Sequence, residues 1–312
     1  MDNLAQYQKF EHPDITAKGE TRALVGLTHL HTVWFNTGSL CNITCKGCYM
    51  DSSPQNDALA YISAQEVATY LDEMRDHQMD VREIGFTGGE PFMNPEIIDI
   101  ITDCLERDFR VLVLTNAMKP LHHKKEALLS LKETYGGQLS MRVSVDHYRQ
   151  GEHEALRGEG SWTPMIEGLS WLAQHGFNLA VAGRTIWPES EERERQGYGE
   201  MFAKEGIAIN PFDPVELVLF PEMDEKADVP EITTACWDIV GVQPEAMMCA
   251  SSRMIIKRKG AAHPVVVPCT LLPYDEKFEM GRKLSQADKD VKLNHPHCAK
   301  FCVLGGGACS KT

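Results

Sequence analysis

The chain has 312 residues, 43% of them hydrophobic and 24% charged, which is the make-up of a packed globular protein and not of a disordered chain. A formal net charge of −14 argues against a general nucleic-acid binder, whose affinity rests on cations that displace phosphate counterions. The polar start MDNLAQYQKFEHPDITAKGE lacks the apolar core of a signal peptide, and no run approaches the roughly 18 apolar residues of a membrane span, so a cytoplasmic chain with no membrane partner is expected.

Along the chain, apolar and β-branched runs predict six strands: HTVWFNT (31–37), VREIGFT (81–87), RVLVLT (110–115), LSMRVSV (139–145), NLAVAGRT (178–185) and VELVLF (215–220). Helical patterns separate the first five. Ser63 with Glu66 forms a capping box ahead of Val67, Leu71 and Met74. Asn94 caps and Pro95 starts a second helix, with Ile97, Ile101 and Cys104 on its buried stripe. LHHKKEALLSLKETY, then MIEGLSWLAQHG after Thr163 and Pro164, give two more, and SEERERQGYGEMFAKEG ends on Gly206. Strand and helix alternating at this interval mean right-handed crossovers and a parallel sheet. The expected fold class is α/β: a partial (β/α)6 TIM-like barrel over 31–225, preceded by an N-terminal extension, 1–30. Chemistry in such a barrel collects at the C-terminal strand ends.

Beyond residue 225 the pattern changes to a small cysteine-rich α+β unit, 226–312. MMCASSRMIIKRKGAAHPVVVPCT reads as a β-hairpin with KRKGAAHP as its turn and Cys249 and Cys269 at its open ends; the short basic run KRKG then reads as solvated turn. A short helical segment and the tail HPHCAKFCVLGGGACSKT follow.

Ten cysteines in a chain without a secretory start point to metal or redox chemistry more than to disulfides. Three of them, Cys41, Cys45 and Cys48, lie in the loop CNITCKGCYM after the first strand, with no fourth nearby. Four cysteines normally hold an iron–sulfur cluster, so three leave one iron open to a ligand that is not protein. Zinc accepts thiolates too, and the spacing alone does not exclude it. At the end of the second strand, GFTGGEP supplies Gly88 and Gly89, which let backbone groups approach a ligand, and the Glu90 carboxylate, which could receive an ammonium group.

These residues resemble the radical S-adenosylmethionine (SAM) superfamily, marked by a CxxxCxxC loop after the first barrel strand and a GGEP-like motif after the second. The resemblance spans about residues 31–225. It implies that Cys41, Cys45 and Cys48 hold a 4Fe-4S cluster whose unique iron binds S-adenosylmethionine. Gly88, Gly89 and Glu90 would meet the methionyl end of that cofactor. In that family an electron from the reduced cluster cleaves the cofactor to methionine and a 5′-deoxyadenosyl radical, which takes a hydrogen atom from the substrate. LTNA (114–117) looks like the family's TNG-like strand end, placing Thr115 and Asn116 at the cofactor. RVSVDHY with HEALRG looks like the SLDG…HDxxRG stretch of the branch containing anaerobic sulfatase-maturating enzymes, which places Ser144, Asp146 and Arg157 there as well. Arg184 either pairs with the methionyl carboxylate or makes an ordinary salt bridge between domains. The family often has an aromatic residue just before the third cysteine; here that residue is Gly47 and Tyr49 follows instead, leaving backbone groups to meet the adenine edge.

The C-terminal unit resembles the auxiliary-cluster domains called SPASM and twitch. The full SPASM pattern has seven cysteines; here six follow the barrel, with different tail spacing. One auxiliary 4Fe-4S cluster on Cys249, Cys269, Cys298 and Cys302 is expected, with Cys309 as substitute ligand and a structural zinc on the same four as the rival. Cys104 reads as core and Cys236 is undecided. His295 and His297 either ligate metal or pack around the cluster and donate hydrogen bonds to its sulfurs.

Candidate substrate-side groups are His147 and Tyr148 after the fourth strand and Glu222 and Asp224 after the sixth, where a carboxylate could remove a proton or simply be solvated. The leading expectation is an oxidative or bond-forming modification of a peptide or small metabolite, with a reductant such as flavodoxin or ferredoxin. The first 30 residues are short for a leader-peptide-binding domain. The alternatives are a non-enzymatic iron–sulfur or zinc-binding protein, and a methyl- or sulfur-transferase on the same core.

Overall fold

A computed structural model describes residues 7–307. Two short strands, β1 (Leu24–Val25) and β10 (Val291–Lys292), pair antiparallel and tie the N-terminal segment to the C-terminal one. The main sheet has eight strands in the order β7-β6-β5-β4-β3-β2-β8-β9. Its barrel strands are β2 (Thr32–Asn36), β3 (Glu83–Thr87), β4 (Arg110–Thr115), β5 (Leu139–Ser144), β6 (Asn178–Arg184) and β7 (Leu217–Phe220), all parallel. These are the six strands read from the apolar runs.

The crossover helices are α1 (Ala64–Asp76), α2 (Ile97–Glu106), α3 (Lys119–His122) with α4 (Lys125–Tyr135), α5 (Gln150–Arg157) with α6 (Trp162–Gln174), and α7 (Glu191–Glu205). On α1 both halves of the Ser63–Glu66 capping box form, and Val67, Leu71 and Met74 are buried. Gly206 ends α7 at φ 69°, a left-handed cap. Helix α2 starts two residues later than Asn94–Pro95 suggested. The Asn94 side chain accepts from Glu96 N at 2.9 Å and donates to Ile62 O at 2.8 Å, so it pins the entry loop rather than capping directly. Helix α5, which carries HEALRG, was not foreseen: among its residues only His153 is buried, so it has no apolar stripe.

The predicted hairpin forms as β8 (Ser252–Ile256) and β9 (Val265–Val267). It does not stand apart from the barrel. Strand β8 runs parallel to β2, with Thr32 opposite Ser252 and Phe35 opposite Ile255. The cause is the burial of β2: Val33, Trp34 and Phe35 have no exposed surface, and an open edge there would leave backbone groups unpaired. The short helix expected after the hairpin is absent; only single 3-10 turns at Glu276–Phe278 and Leu284–Gln286 form, while α8 (Cys236–Val240) precedes it. The basic turn is neutralised locally, by Lys257–Glu66 at 2.6 Å, Arg258–Glu279 at 2.6 Å and Lys259–Asp57 at 2.5 Å. Among the described residues no helix is long and apolar enough to cross a membrane.

Candidate active site and auxiliary cysteine cavity

A cavity of about 140 Å3 opens at the C-terminal ends of the barrel strands. Thr87 and Gly88 reach it from β3, Thr115 from β4, Ser144 and Asp146 from β5, and Arg184 from β6; Cys45, Cys48 and Tyr49 reach it from the loop after β2. Cys41 sits just behind, 6% exposed, with Asn116 Nδ2 at 3.9 Å from its sulfur. Burial pushes the Cys41 thiol up to about 12, with the Glu90 carboxylate adding to the shift. Burial also raises Cys45, against the pull of the Arg157 guanidinium. Metal binding at these thiols therefore releases protons.

The glycines do something other than clear space for a ligand. A Cβ on Gly89 would stand 1.9 Å from the Leu40 carbonyl oxygen, and one on Gly88, at φ 140°, would stand 2.5 Å from that of Gly38. Gly89 N donates to Gly38 O at 2.7 Å and Glu90 N to Leu40 O at 3.2 Å, so the GGE turn is backed directly against the start of the cysteine loop. The Glu90 carboxylate is 2% exposed and already accepts from Thr115 Oγ1 at 2.8 Å, Asn116 N at 2.8 Å and Phe92 N at 3.2 Å. It clamps the ends of β3 and β4 together. Burial raises its pKa to about 7 despite those donors.

Asp146 and Arg157 form a two-pronged pair at 2.8 and 3.1 Å, both little exposed. Helix α5 also holds the loop from below, Lys46 N donating to Leu156 O at 2.7 Å. Gly47 adopts φ 65°, and a Cβ there would meet the Arg184 guanidinium at 3.4 Å. Arg184 Nη1 donates to Lys46 O at 3.4 Å, and the residue makes no salt bridge among the described residues. Tyr49 Oη lies 3.3 Å from Thr87 Oγ1.

The proton-transfer candidates are not brought to this cavity. His147 is buried between Tyr148 (centroids 4.2 Å) and Trp187 (4.4 Å), and the Tyr148 hydroxyl donates to Glu189 at 2.7 Å. Glu222 and Asp224 are exposed, Glu222 pairing with Lys300 at 2.8 Å. The residue between them, Met223, lines the cavity instead, together with Phe220 and Phe301. Those three and Arg142 are among the lining residues that sequence reasoning missed, as are Met50, Ala182 and Gly183. Strand alternation carried a signal for Arg142, since residues 142, 144 and 146 fall on one face.

A second, apolar cavity is lined by Cys249 and Cys269 from the hairpin's open ends and by Cys298 and Cys302 from a wide π-type turn, Cys298–Leu304. Met247, Leu271, Leu272 and His297 complete much of its wall. Nδ1 of His297 is buried with no hydrogen-bond partner, while Nδ1 of His295 accepts from His297 N at 3.1 Å. Burial raises the thiols of Cys249 to about 11 and Cys298 to about 12. Among the described residues no two cysteines are joined in a disulfide, and no group of three His, Cys, Asp or Glu side chains is placed to hold a single metal ion. Cys236 lies away from this wall, its sulfur accepting from Thr233 N at 3.3 Å, and Cys104 is fully buried on α2. Cys309 lies outside the described residues.

Among curated proteins, the chain is 32% identical over 143 residues to the antilisterial bacteriocin subtilosin biosynthesis protein AlbA of Bacillus subtilis, covering 46% of this chain and 30% of that one. It is 26% identical over 152 residues to the GTP 3′,8-cyclase of Rhodococcus opacus, covering 48% and 42%. The match thus spans less than half the length of either relative. Of solved structures, Streptococcus suis SuiB bound to S-adenosylmethionine superposes with a TM-score of 0.59 at 11% identity, over 81% of this chain and 63% of that one. AnSMEcpe with bound AdoMet gives 0.59 at 11%, over 84% and 81%. Both share the fold. Residues 35–197, more than half the chain, match the Radical SAM superfamily, so with the three-cysteine loop and the strand-end cavity in place, the chain belongs to that superfamily.

Proposed function

We propose that the protein is a SAM-dependent radical enzyme that modifies a peptide, with one 4Fe-4S cluster at the barrel mouth and a second in the auxiliary cavity. The observation that carries this is convergence: Cys45 and Cys48 of one loop, with Cys41 just behind them, meet polar residues from four successive strand ends around a single cavity. A non-enzymatic metal-binding module would need the cysteines and leave those strand ends unused.

The residues fit the groups the family uses. Cys41, Cys45 and Cys48 would hold the first cluster. Gly88, Thr115, Ser144, Asp146, Arg184 and Tyr49 would hold S-adenosylmethionine, with Arg184 facing a carboxylate. Glu90, Asn116 and Gly89 would act one layer back by fixing those groups, and Arg157, itself on the cavity wall, would hold Asp146 in place. When bound beside a reduced cluster, S-adenosylmethionine supplies the radical that takes a hydrogen atom. The chain's own part is to orient and to exclude water: Phe220, Met223 and Phe301 give the cavity an apolar wall. His147 and Tyr148 are reassigned to packing, and Glu222 and Asp224 to solvent.

For the auxiliary cavity the reading is a cluster, because four cysteines line one apolar cavity in a chain of the radical SAM superfamily. A tetrahedral zinc on the same four thiolates is the rival that iron and zinc analysis separates. Cys249, Cys269, Cys298 and Cys302 would be the ligands, with Cys309 in reserve, and His297 could donate to a sulfur. The peptide assignment draws on AlbA, a bacteriocin biosynthesis protein, and on SuiB, solved with the precursor peptide SuiA. Electrons would come from a small reductant of the flavodoxin or ferredoxin class.

The test is anaerobic reconstitution with iron and sulfide, followed by dithionite and S-adenosylmethionine. 5′-Deoxyadenosine should form, and Cys45→Ala should abolish it. A chain that carries its iron yet yields none ends the proposal.

A further inference from the structure

Arg253 lies in the middle of β8, in the apolar run SRMII, and has no exposed surface. A guanidinium does not lose its proton in proteins. Its burial therefore puts a permanent charge in the interior, a cost normally met by a carboxylate. The same fold shows that solution at Arg22, equally buried and paired with Glu231 at 2.5 Å. Arg253 has no such partner among the described residues. Its donors go to backbone carbonyls instead: Nε to Ala287 at 2.9 Å, Nη1 to Ser252 at 2.7 Å and to Cys249, and Nη2 to Lys289 at 3.3 Å. Carbonyl oxygens satisfy the hydrogen bonds and leave the charge uncancelled. The groups that act on that charge are the Cys249 and Cys269 side chains, then the exposed Asp288 carboxylate. Both cysteines line the auxiliary cavity.

We propose that Arg253 is the buried counter-charge of an anionic, thiolate-bound iron–sulfur cluster in the Cys249, Cys269, Cys298 and Cys302 cavity, and that it raises the cluster's reduction potential. The inference rests on the auxiliary-cluster reading above. A cubane with four thiolates is anionic when oxidised and gains another negative charge on reduction. A fixed cation in a dry, low-dielectric setting favours the more negative state. The bond from Nη1 to the Cys249 carbonyl holds the guanidinium to the backbone of one ligand. An auxiliary cluster tuned upward suits an acceptor of an electron from the substrate side more than a donor.

The experiment uses the full chain with Cys41, Cys45 and Cys48 all changed to Ala, so that any cluster signal comes from the auxiliary cavity and no SAM chemistry is involved. Its potential is read by redox titration with electron paramagnetic resonance. Arg253→Gln and Arg253→Met should change the oxidised-to-reduced ratio at fixed potential at least tenfold toward oxidised, ~59 mV for one electron. Arg253→Lys, which keeps the charge, should stay within about threefold. Should neither neutral variant fold, citrulline installed at position 253 by protein ligation keeps the planar shape and removes the charge. Neutral variants within twofold of the parent overturn the inference and leave the cluster reading standing, as does a Lys variant that shifts as far as Gln. A chain that takes up no cluster overturns both.

Discussion

At Gly89 the fold itself requires a residue without a Cβ. Glycine there frees space for the protein's own backbone, since the Leu40 carbonyl occupies the place of a Cβ. Gly89→Ala should push the cysteine loop away from β3 and cost ~1–3 kcal/mol of stability. Measured in a Cys249→Ala/Cys269→Ala background, where only the barrel site counts, bound iron should fall at least twofold; full loading would refute the packing argument. At Asp146, burial alone would raise the carboxyl, but Arg157 outweighs it and holds the pKa below the usual 3.8. The pair's contribution is thus present above the unfolded value and lost as pH falls through the folded one. Arg157→Met strands a buried carboxylate and should cost ~3–5 kcal/mol, with much of it recovered in Asp146→Asn/Arg157→Met. Urea midpoints of the three chains at pH 7 decide it; equal losses in the single and double variants would mean that the charge pairing contributes little.

At the scale of elements, α7 carries a buried acid with no support. Glu194 is 1% exposed, and neither carboxylate oxygen has a hydrogen-bond partner among the described residues. Burial first, then Glu189 and Glu191, raise its pKa from 4.5 to about 7, against Arg195. Between those values the folded chain keeps a proton that the unfolded chain has lost, so stability falls as pH rises through the window. Glu194→Gln should be near neutral at pH 4.5 and stabilise by ~1–2 kcal/mol at pH 8, read as a pH-dependent difference in melting temperature. A constant difference at both pH values would sink the assignment. Elements like α7 and the six barrel strands were legible because buried parallel strands read as apolar runs and capped helices announce their ends. The pairing of β8 with β2 was not, because strand order is a long-range property that no local pattern carries. Nor were β1 and β10, at two residues each. The site divides the same way. Its cysteine loop and strand-end motifs were readable, whereas Phe220, Met223 and Phe301 meet only through the fold. His147 is absent from the cavity wall, and the strand's alternation, with 142, 144 and 146 facing the cavity, accounts for that by turning it the other way.

For the whole molecule, the shared sheet makes the barrel and the cysteine-rich segment mechanically one body. Strand β8 closes the edge of β2, while the β1–β10 pairing and the buried Arg22–Glu231 pair bind the N-terminal extension to that same cysteine-rich segment. The turn that bears Cys298 and Cys302 also sends Phe301 into the barrel-mouth cavity, where its ring lies 5.5 Å from that of Phe220. Two such regions cannot unfold independently without exposing Val33, Trp34 and Phe35. The unloaded chain should therefore melt in one transition, with indole fluorescence and far-ultraviolet circular dichroism coinciding. Metal bound only at the auxiliary cysteines must then stabilise the barrel as well, because a ligand of the native state raises the stability of the entire cooperative unit. In the chain lacking Cys41, Cys45 and Cys48, reconstitution should move the transition followed by helix signal, which comes mostly from α1 to α7, upward by several degrees. If that signal stays in place while only C-terminal amides gain protection from hydrogen exchange, the two regions are separate bodies. The auxiliary cavity then has no mechanical hold on the site at the strand ends.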